Sequence, residues 1–505
     1  MHDLSRRDVF KAATAAGAGA VVLPGITAAS APSAPAAADS TMSASEMSGS
    51  ALSPPAQLTG RIVRPQDPDY ASASLGWDEL FIHYPLVIVF AQNTQDVVNA
   101  LTWARQNNVA LRVRSGRHSL EGWSNVDNGI VIDVSELKSI TVDSTAGTAT
   151  VGAGLNQLEA VTALGQKGLA VPTGTEGTVG LSGATLGGGF GLLTRYLGMA
   201  CDKLSAVEIV VASGADGARA ITVDMRNHPD LLWALRGAGN GNFGIVTSLT
   251  YEVAPLTTVV YVTASWDGLG DLQPIFDAWQ STAPFTDNRL TSQLEVHKNQ
   301  ILLFAVFAGG SKAQALKLLA PVLSIGNPSV AGQVGNWGEI YAAFQIPTAL
   351  DPANWKFFSQ FTSRPFPAKA ISLIRSFMLD APTDDSNFFT NAFGGEVRKS
   401  EPCGGAAFPH RGALFYSEPG AGWGTREDPK CDDPLTPVAQ AWIAEFSQAL
   451  RPYVDGAYVN VPNVGMQEWE TAYWGPNYDR LRRIKAKYDP QNVFQYEQSI
   501  PPAFC

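Results

Sequence analysis

Three consecutive glycines, Gly187-Gly188-Gly189, stand inside the run Gly183-Ala184-Thr185-Leu186-Gly187-Gly188-Gly189-Phe190-Gly191. Successive glycines weaken regular secondary structure and are useful where backbone must turn sharply or approach a ligand closely. The run therefore marks a point at which main chain, rather than side chains, meets a neighbour. Leu192–Leu197 reads as a helical turn after it, whose first N–H groups would suit an anion. A second loop of the same character, Arg114-Ser115-Gly116-Arg117-His118-Ser119-Leu120-Glu121-Gly122-Trp123-Ser124, directly follows the strand-like run Ala110–Arg114. That puts it at the C-terminal end of a strand, the edge where α/β sheets hold ligands. Its small and turn-forming residues can direct several N–H groups at a phosphate. Neither block has GxGxxG spacing with a downstream acid, so the ordinary dinucleotide fingerprint is absent.

Around these loops the hydrophobic pattern alternates between periods. Leu86–Ala91 is a short apolar run, hence a strand, and Thr94 can cap a helix to about Gln106 with Val97, Val98, Leu101 and Ala104 on one face. Strand signals follow at Gly129–Val134, Ile140–Val142 and Gly147–Val151, then a helix from about Leu155. Val207–Val211 is a strand, His228–Arg236 a helix and Gly244–Val253 a strand. After about Pro255, strand-like runs (Val259–Ser265, Leu294–Val296, Leu302–Phe307) alternate with helical ones (Leu269–Gln280, Ser311–Leu323, Ala368–Met378, Pro437–Leu450). Such alternation predicts an α+β or α/β chain. A second domain is expected over 256–455. Gly456–Val461 reads as a strand, with Tyr458 and Asn460 sharing a face, and Asn477–Lys487 as a basic helix.

The first 57 residues lie outside the folded pattern. Ser5-Arg6-Arg7-Asp8-Val9-Phe10-Lys11 places paired arginines before the weakly apolar run Ala12 to Pro24, with Ala36-Ala37-Ala38 as a small-residue cleavage site. This is the layout of a twin-arginine export signal over 1–38. The apolar run is too short to span a membrane, and 39–57 reads as a flexible linker. Export permits disulfides. Cys201, Cys403, Cys431 and Cys505 allow three pairings, of which Cys403–Cys431 is favoured because both flank turn-rich segments of one region. The six histidines show no metal-ligand spacing, so no metal is expected. With 35 Lys+Arg against 46 Asp+Glu, the net charge of −11 argues against nucleic acid as a partner.

Taken in order, the segments resemble those of FAD-linked oxidases with the p-cresol methylhydroxylase or vanillyl-alcohol-oxidase fold, within its berberine-bridge-enzyme-like branch. The resembling segments are Tyr84-Pro85-Leu86-Val87 with Asn93–Val97, the RSGRHSLEGWS loop, GTEGTVGLSGATLGGGFGLLTRYLG (Gly174–Gly198) and Leu232–Val246. Ala457-Tyr458-Val459-Asn460 and NYDRLRRIKAKYDPQNVFQYEQSI (Asn477–Ile500) complete the set. The resemblance implies an α+β fold, with an FAD-binding domain in two parts (58–255, and 456–505 returning to it) and an α/β substrate domain (256–455) built on an antiparallel sheet.

The resemblance also implies residue roles. His118 would bond covalently to the flavin C8-methyl carbon, a reaction suited to neutral imidazole. Ser115, Gly116, Arg117 and Ser119 would cradle the pyrophosphate, with Gly187, Gly188, Gly189, Gly244, Ile245 and Val246 along the adenine and isoalloxazine. Arg114, Gly122, Trp123, Gly174, Thr175, Thr178, Gly183 and Asn492 complete the expected cofactor contacts. Glu176 stands where doubly tethered relatives carry a cysteine, so a single tether, at His118, is expected. Val179, three residues on, matches a gatekeeper beside the flavin, and its small size would admit dioxygen. Tyr458 would be the base that removes a substrate hydroxyl proton, assisted by Asn460. Arg411 would either supply the cation that lowers a phenol from its ordinary value of about 10 or form a structural salt bridge. The family's second tyrosine is Val461 here, and the acid expected after it is Asn463.

The favoured substrate is a mono- or oligosaccharide, oxidised at a hemiacetal or alcohol carbon with dioxygen reduced to hydrogen peroxide. Trp266, Trp279, Trp337, Tyr341 and Trp355 would suit sugar stacking or would simply be core. An alcohol or phenol of secondary metabolism is the alternative substrate, and a secreted carbohydrate-binding protein on a vestigial flavin fold is the non-enzymatic reading.

Overall fold

The computed structural model describes residues 58–399, 401–426 and 433–503. The export signal and linker therefore lie outside the described residues. Three sheets organise the chain. The first contains β1 (Arg61–Val63), β2 (Val87–Phe90), β3 (Leu111–Arg114) and β4 (Ile130–Asp133), in the order β1-β2-β4-β3. β2, β4 and β3 are parallel. β2 and β4 are buried throughout, as expected of parallel strands covered on both faces. The helix Thr94–Gln106 lies between this sheet and the second sheet. Its N-cap is Asn93 rather than Thr94: Asn93 and Asp96 form a reciprocal capping box. Val97, Ala100, Leu101 and Ala104 form its buried stripe.

The second sheet is antiparallel: β5 (Ile140–Asp143), β6 (Thr148–Gly152), β8 (Leu204–Ser213), β9 (Gly217–Val223) and β10 (Ile245–Glu252), ordered β5-β6-β10-β8-β9. A short ribbon joins β7 (Leu169–Ala170) to β11 (Ala254–Pro255).

The third sheet begins at Val259 and is antiparallel throughout. Its strands are β12 (Val259–Asp267), β13 (Leu290–His297), β14 (Gln300–Ala308), β15 (Ser329–Gly335), β16 (Asn354–Phe357), β17 (Gln360–Thr362), β18 (Asn387–Ala392) and β19 (Phe415–Trp423). They run β15-β12-β14-β13-β18-β19-β16, with β17 also on β19. Strand alternation splits its side chains between two faces. Leu294, Val296, Ile301, Leu303, Phe388, Phe415 and Trp423 join the core under the helices Leu272–Thr282, Ala368–Leu379 and Thr436–Leu450. The residues between them point the other way, towards the first two sheets. The α+β expectation, with an antiparallel substrate sheet, describes this architecture.

Two expectations fail here. Trp279, Trp337, Tyr341 and Trp355 are among the most completely buried side chains, and Trp266 is also core. They pack the interior and offer no sugar platform. Cys403 is exposed with a free thiol, so the Cys403–Cys431 pairing is not formed, and Cys431 itself lies outside the described residues. Among the strands absent from the sequence reading, which include β16 to β19, β9 and β15 are largely polar or small-residue edges.

The C-terminal segment is anchored by one buried ion pair. Lys485, on the helix Tyr478–Tyr488, and Asp489 are both fully buried, 2.7 Å apart. Lys485 Nζ also donates to Asn242 O and Phe494 O, each at 2.6 Å. Asp489 accepts from the N–H groups of Val493 and Phe494. Removing one member of such a pair leaves the other charged and unpaired. Asp489→Asn is therefore expected to cost about 3–5 kcal/mol, read as a lowered denaturant midpoint, and a shift under about 1 kcal/mol would show the pair to be dispensable.

Candidate active site

The loop after β3 begins with an ion pair. Arg114 Nε donates to Asp133 Oδ2 at 2.7 Å, with both side chains buried, fixing where the chain leaves the sheet. Arg117 then takes a left-handed backbone, φ 64°. No described residue accepts from the N–H groups of Gly116, Arg117, His118 or Ser119. Successive free N–H groups around a left-handed residue make an anion-binding concavity.

Opposite lies the segment Gly174–Gly180, held from both sides. Gln157 donates to Glu176 O at 2.7 Å. From the substrate side, Tyr341 Oη donates to Gly174 O at 2.9 Å. Gln345 Nε2 donates to Thr175 O, and its Oε1 accepts from Gly177 N.

His118 sits where the two loops meet. Its Nε2 is 2.9 Å from Thr178 Oγ1, and Thr178 Oγ1 is 2.8 Å from Glu176 Oε1. Trp77 stacks on the imidazole at 4.8 Å. Burial, and secondarily the nearby Arg426 guanidinium, push the imidazole pKa down to about 3. His118 is therefore neutral across the physiological range.

Together the loops line a cavity of about 460 Å³. Arg114 to Ser119, Trp123, Gly174, Thr175, Val179, Gly183, Gly189, Gly244, Val246, Tyr458 and Asn460 all reach its wall, as the resemblance implied. A Cβ placed on Gly183 would meet nothing within 4 Å, so this part of the wall has open space beside it. Free N–H groups at one end and this open cradle beside it fit FAD.

Other expected contacts are not brought to the wall. Ile245 is fully buried in the core, since strand alternation leaves only its neighbours Gly244 and Val246 facing the cavity. The Cβ direction of Gly122 is filled by Phe81 and His83. Asn492 lies in a left-handed turn, its amide directed at Gln495. Thr178 reaches the site only through His118.

The glycine triplet also differs from its expected role. It ends the helix Leu181–Gly187, with Gly188 at φ 139° and Gly189 at φ 77°, and the turn Thr194–Leu197 lies away from the cavity wall. The left-handed turn aims Gly189 N at Tyr458 Oη, 2.8 Å away. Asn460 Nδ2 donates to the same oxygen at 2.7 Å and to Ala184 O at 2.8 Å. Gly187 is needed because a Cβ there would fall 1.9 Å from Asn460 Oδ1.

Only Gly456 of the Gly456–Val461 segment makes a β-bridge, to Phe361, and the rest is irregular, with a turn at Val459 and Asn460. Tyr458 and Asn460 converge through their hydrogen bond and not through a strand face. Arg411 is turned to Asp202, with contacts of 2.7 and 2.5 Å, and does not reach the cavity wall. A buried guanidinium takes the nearest carboxylate, so the expected cation beside Tyr458 is not there. Burial raises the Tyr458 phenol, opposed by its bonds from Gly189 and Asn460 and reinforced by the Glu418 carboxylate.

The far wall comes from the third sheet and was not anticipated. Gln293, Glu295, Asn387, Phe389, Tyr416 and Glu418 line it. Glu295 pairs with Phe389 and Phe389 with Glu418 across three adjacent strands. Phe494 and Tyr496, the latter 5.4 Å from Trp123 between ring centroids, close the other end.

Loops that present backbone N–H groups to an anion, a neutral histidine and a phenol at the far end of one cavity define an FAD-dependent oxidoreductase. Comparison with known proteins agrees. Residues 85–215 match the family described as FAD binding domain, and residues 457–501 the family described as berberine and berberine like. The FAD-linked oxidoreductase YgaK of Bacillus subtilis is 41% identical over 451 residues, covering 88% of this chain and 98% of that protein. The structure of BBE-like 1 from Physcomitrella patens superposes with a TM-score of 0.81 at 26% identity, covering 89% of this chain and 98% of its own. A chitooligosaccharide oxidase shares the fold, with a TM-score of 0.78 at 22% identity over 88% of this chain and 98% of its own. The chain belongs to the berberine-bridge-enzyme-like family of FAD-linked oxidoreductases. Family membership replaces the non-enzymatic reading.

Gly183 provides a direct test of the cofactor cavity. Gly183→Leu has no protein atom to displace, so the fold should persist while the fraction of purified protein carrying FAD falls by roughly tenfold or more, about 1.4 kcal/mol. Full FAD content in a folded Gly183→Leu protein would show that the cofactor lies elsewhere.

Proposed function

We propose that the protein is a secreted oxidase that takes hydride from the alcohol or hemiacetal carbon of a mono- or oligosaccharide and reduces dioxygen to hydrogen peroxide. The row Glu295–Phe389–Glu418 carries the substrate class. Two carboxylates accept hydroxyl protons on either side of a phenyl ring that suits the C–H face of a sugar. Gln293 and Asn387 extend the polar wall. His297, 3.2 Å from Glu295, and Tyr416, which donates to Glu418, hold the two carboxylates in place on either side of the ring. A peroxide-release screen of the purified protein tests this reading. Turnover of saccharides is expected, and turnover confined to phenols or apolar alcohols would refute it.

When bound, FAD supplies the hydride acceptor and the route to dioxygen. The chain's own residues supply attachment, proton handling and access. Neutral His118 is the single attachment point. Glu176 occupies the position where a second, cysteine tether would be expected, and the buried thiol of Cys201 is pushed well above its ordinary value, chiefly by burial. Tyr458 Oη receives the substrate hydroxyl proton, with two donors, Gly189 N and Asn460 Nδ2, stabilising the oxygen that must carry charge. Val179 lies on the cavity wall and leaves room for dioxygen. Export through the twin-arginine signal would deliver the enzyme folded, with its cofactor in place.

Tyr458→Phe keeps the ring and removes the oxygen. Flavin reduction should fall by about 10²–10⁴, with FAD content near wild type, and a drop below about threefold would move the base elsewhere. Because burial raises the phenol, the group is protonated at neutral pH and the reduction rate should rise with pH into the alkaline range. Asn460→Ala removes one stabilising donor and should displace that rise to still higher pH. Rapid-reaction reduction traces across pH measure both.

Val179→Leu should slow reoxidation of reduced flavin by dioxygen while leaving reduction by substrate unchanged. Equal reoxidation rates in Val179→Leu and wild type would remove the gate role.

A further inference from the structure

We propose that Glu176, acting through Thr178, fixes the tautomer of His118 and receives its proton when the covalent bond to FAD forms. The inference rests on the reading that FAD is tethered at His118, and assigns that step a proton acceptor.

Hydrogen-bond stoichiometry carries it. Thr178 Oγ1 has one proton and two close neighbours, Glu176 Oε1 at 2.8 Å and His118 Nε2 at 2.9 Å. A carboxylate can only accept, so the hydroxyl donates to Glu176 and must accept from Nε2–H. The proton of neutral imidazole is therefore held on Nε2, and Nδ1 keeps its lone pair. Nδ1 has no hydrogen-bond partner among the described residues, and His118 lines the cavity. The stacked Trp77 ring fixes the imidazole plane. Glu176 is held in turn, its carbonyl accepting from Gln157 and its carboxylate also accepting from Thr178 N at 3.2 Å.

The step balances as follows. A bond forms between Nδ1 and the C8-methyl carbon of FAD, and one methyl C–H bond breaks. The methyl hydrogen leaves as a proton to solvent, and the two electrons of its bond enter the flavin ring. Alkylated at Nδ1, the imidazole would carry a positive charge until Nε2 loses its proton. That proton passes to Thr178 Oγ1 as the hydroxyl proton of Thr178 passes to Glu176. Dioxygen then takes two electrons and two protons from the reduced site, leaving as hydrogen peroxide.

A carboxylate that merely stabilised its own turn would not depend on the hydroxyl between it and the histidine. The test therefore compares Glu176→Gln and Thr178→Val, which break the relay, with Glu176→Asp and Thr178→Ser, which keep its chemistry. Total FAD is read by absorbance, and covalent FAD by intact mass after acid precipitation. Both breaking variants should bind FAD yet form the covalent adduct about 10²-fold more slowly, with the conservative pair recovering most of the rate. The linkage in wild type should lie at Nδ1 by NMR of the flavin peptide. Wild-type rates of adduct formation in Glu176→Gln or in Thr178→Val, or a linkage at Nε2, would overturn the inference while leaving the tether intact. Absence of any covalent FAD from wild type would instead refute the tether at His118, and the inference with it.

Discussion

A Cβ on Gly116 would lie 2.1 Å from Gly180 N, and one on Gly180 2.6 Å from Gly116 N. Nothing larger than glycine permits the two loops to cross this closely, and the site is organised around that crossing. The contact joins the loop after the parallel sheet to the segment leading into the helix Leu181–Gly187, two parts of the chain that share no strand. It carries His118 onto Thr178 and sets Trp77 against the imidazole. Gln157 from one side and Gln345 and Tyr341 from the other then hold the second loop. The substrate sheet's own elements thus clamp the cofactor loop, so the two halves of the cavity cannot be positioned independently.

The cavity is polarised along its length. At the loop end, backbone N–H groups and the guanidinium of Arg117 favour anionic groups. At the sheet end, Glu295 and Glu418 favour hydroxyl donors. Between them the reacting groups are kept neutral: burial holds His118 below its ordinary range and Tyr458 above its own. Neutrality suits each differently. An uncharged imidazole keeps a nucleophilic lone pair, whereas a phenol must be helped to accept a proton.

Much of this was legible in the sequence where a single local rule decides. The parallel strands, the capped helix near residue 94 and the glycine-bearing loops follow from period, turn chemistry and the place of a loop after a strand. Side choice was not legible. Trp279 and Trp355 have the composition of a sugar platform, yet the helical period of Leu272–Thr282 and strand alternation along β16 turn them into the core, and only the position of the covering elements says which face turns inward. Gln293 and Glu295 sit two apart, as any strand pair would, and only the pairing of β13, β18 and β19 assembles them with Phe389 and Glu418. Arg411 illustrates the same limit. Its partner, Asp202, lies 209 positions away, and a long-range ion pair leaves no local trace.

The loss of Arg411 from the site changes what the glycine triplet means. A phenolate stabilised by a cation would tolerate displacement, because charge–charge attraction falls off slowly with distance. One stabilised by two dipolar donors depends on angle and on tenths of an ångström. Gly189 N meets Tyr458 Oη only because Gly188 and Gly189 adopt left-handed backbone, and Asn460 reaches the same oxygen only because Gly187 leaves room for its amide. The three glycines, which from sequence read as a cofactor cradle, therefore support the Tyr458 oxygen, the proposed proton acceptor. The Glu418 carboxylate opposes that support, so in the role proposed for Tyr458 proton acceptance would rest on backbone geometry that side-chain electrostatics does not replace.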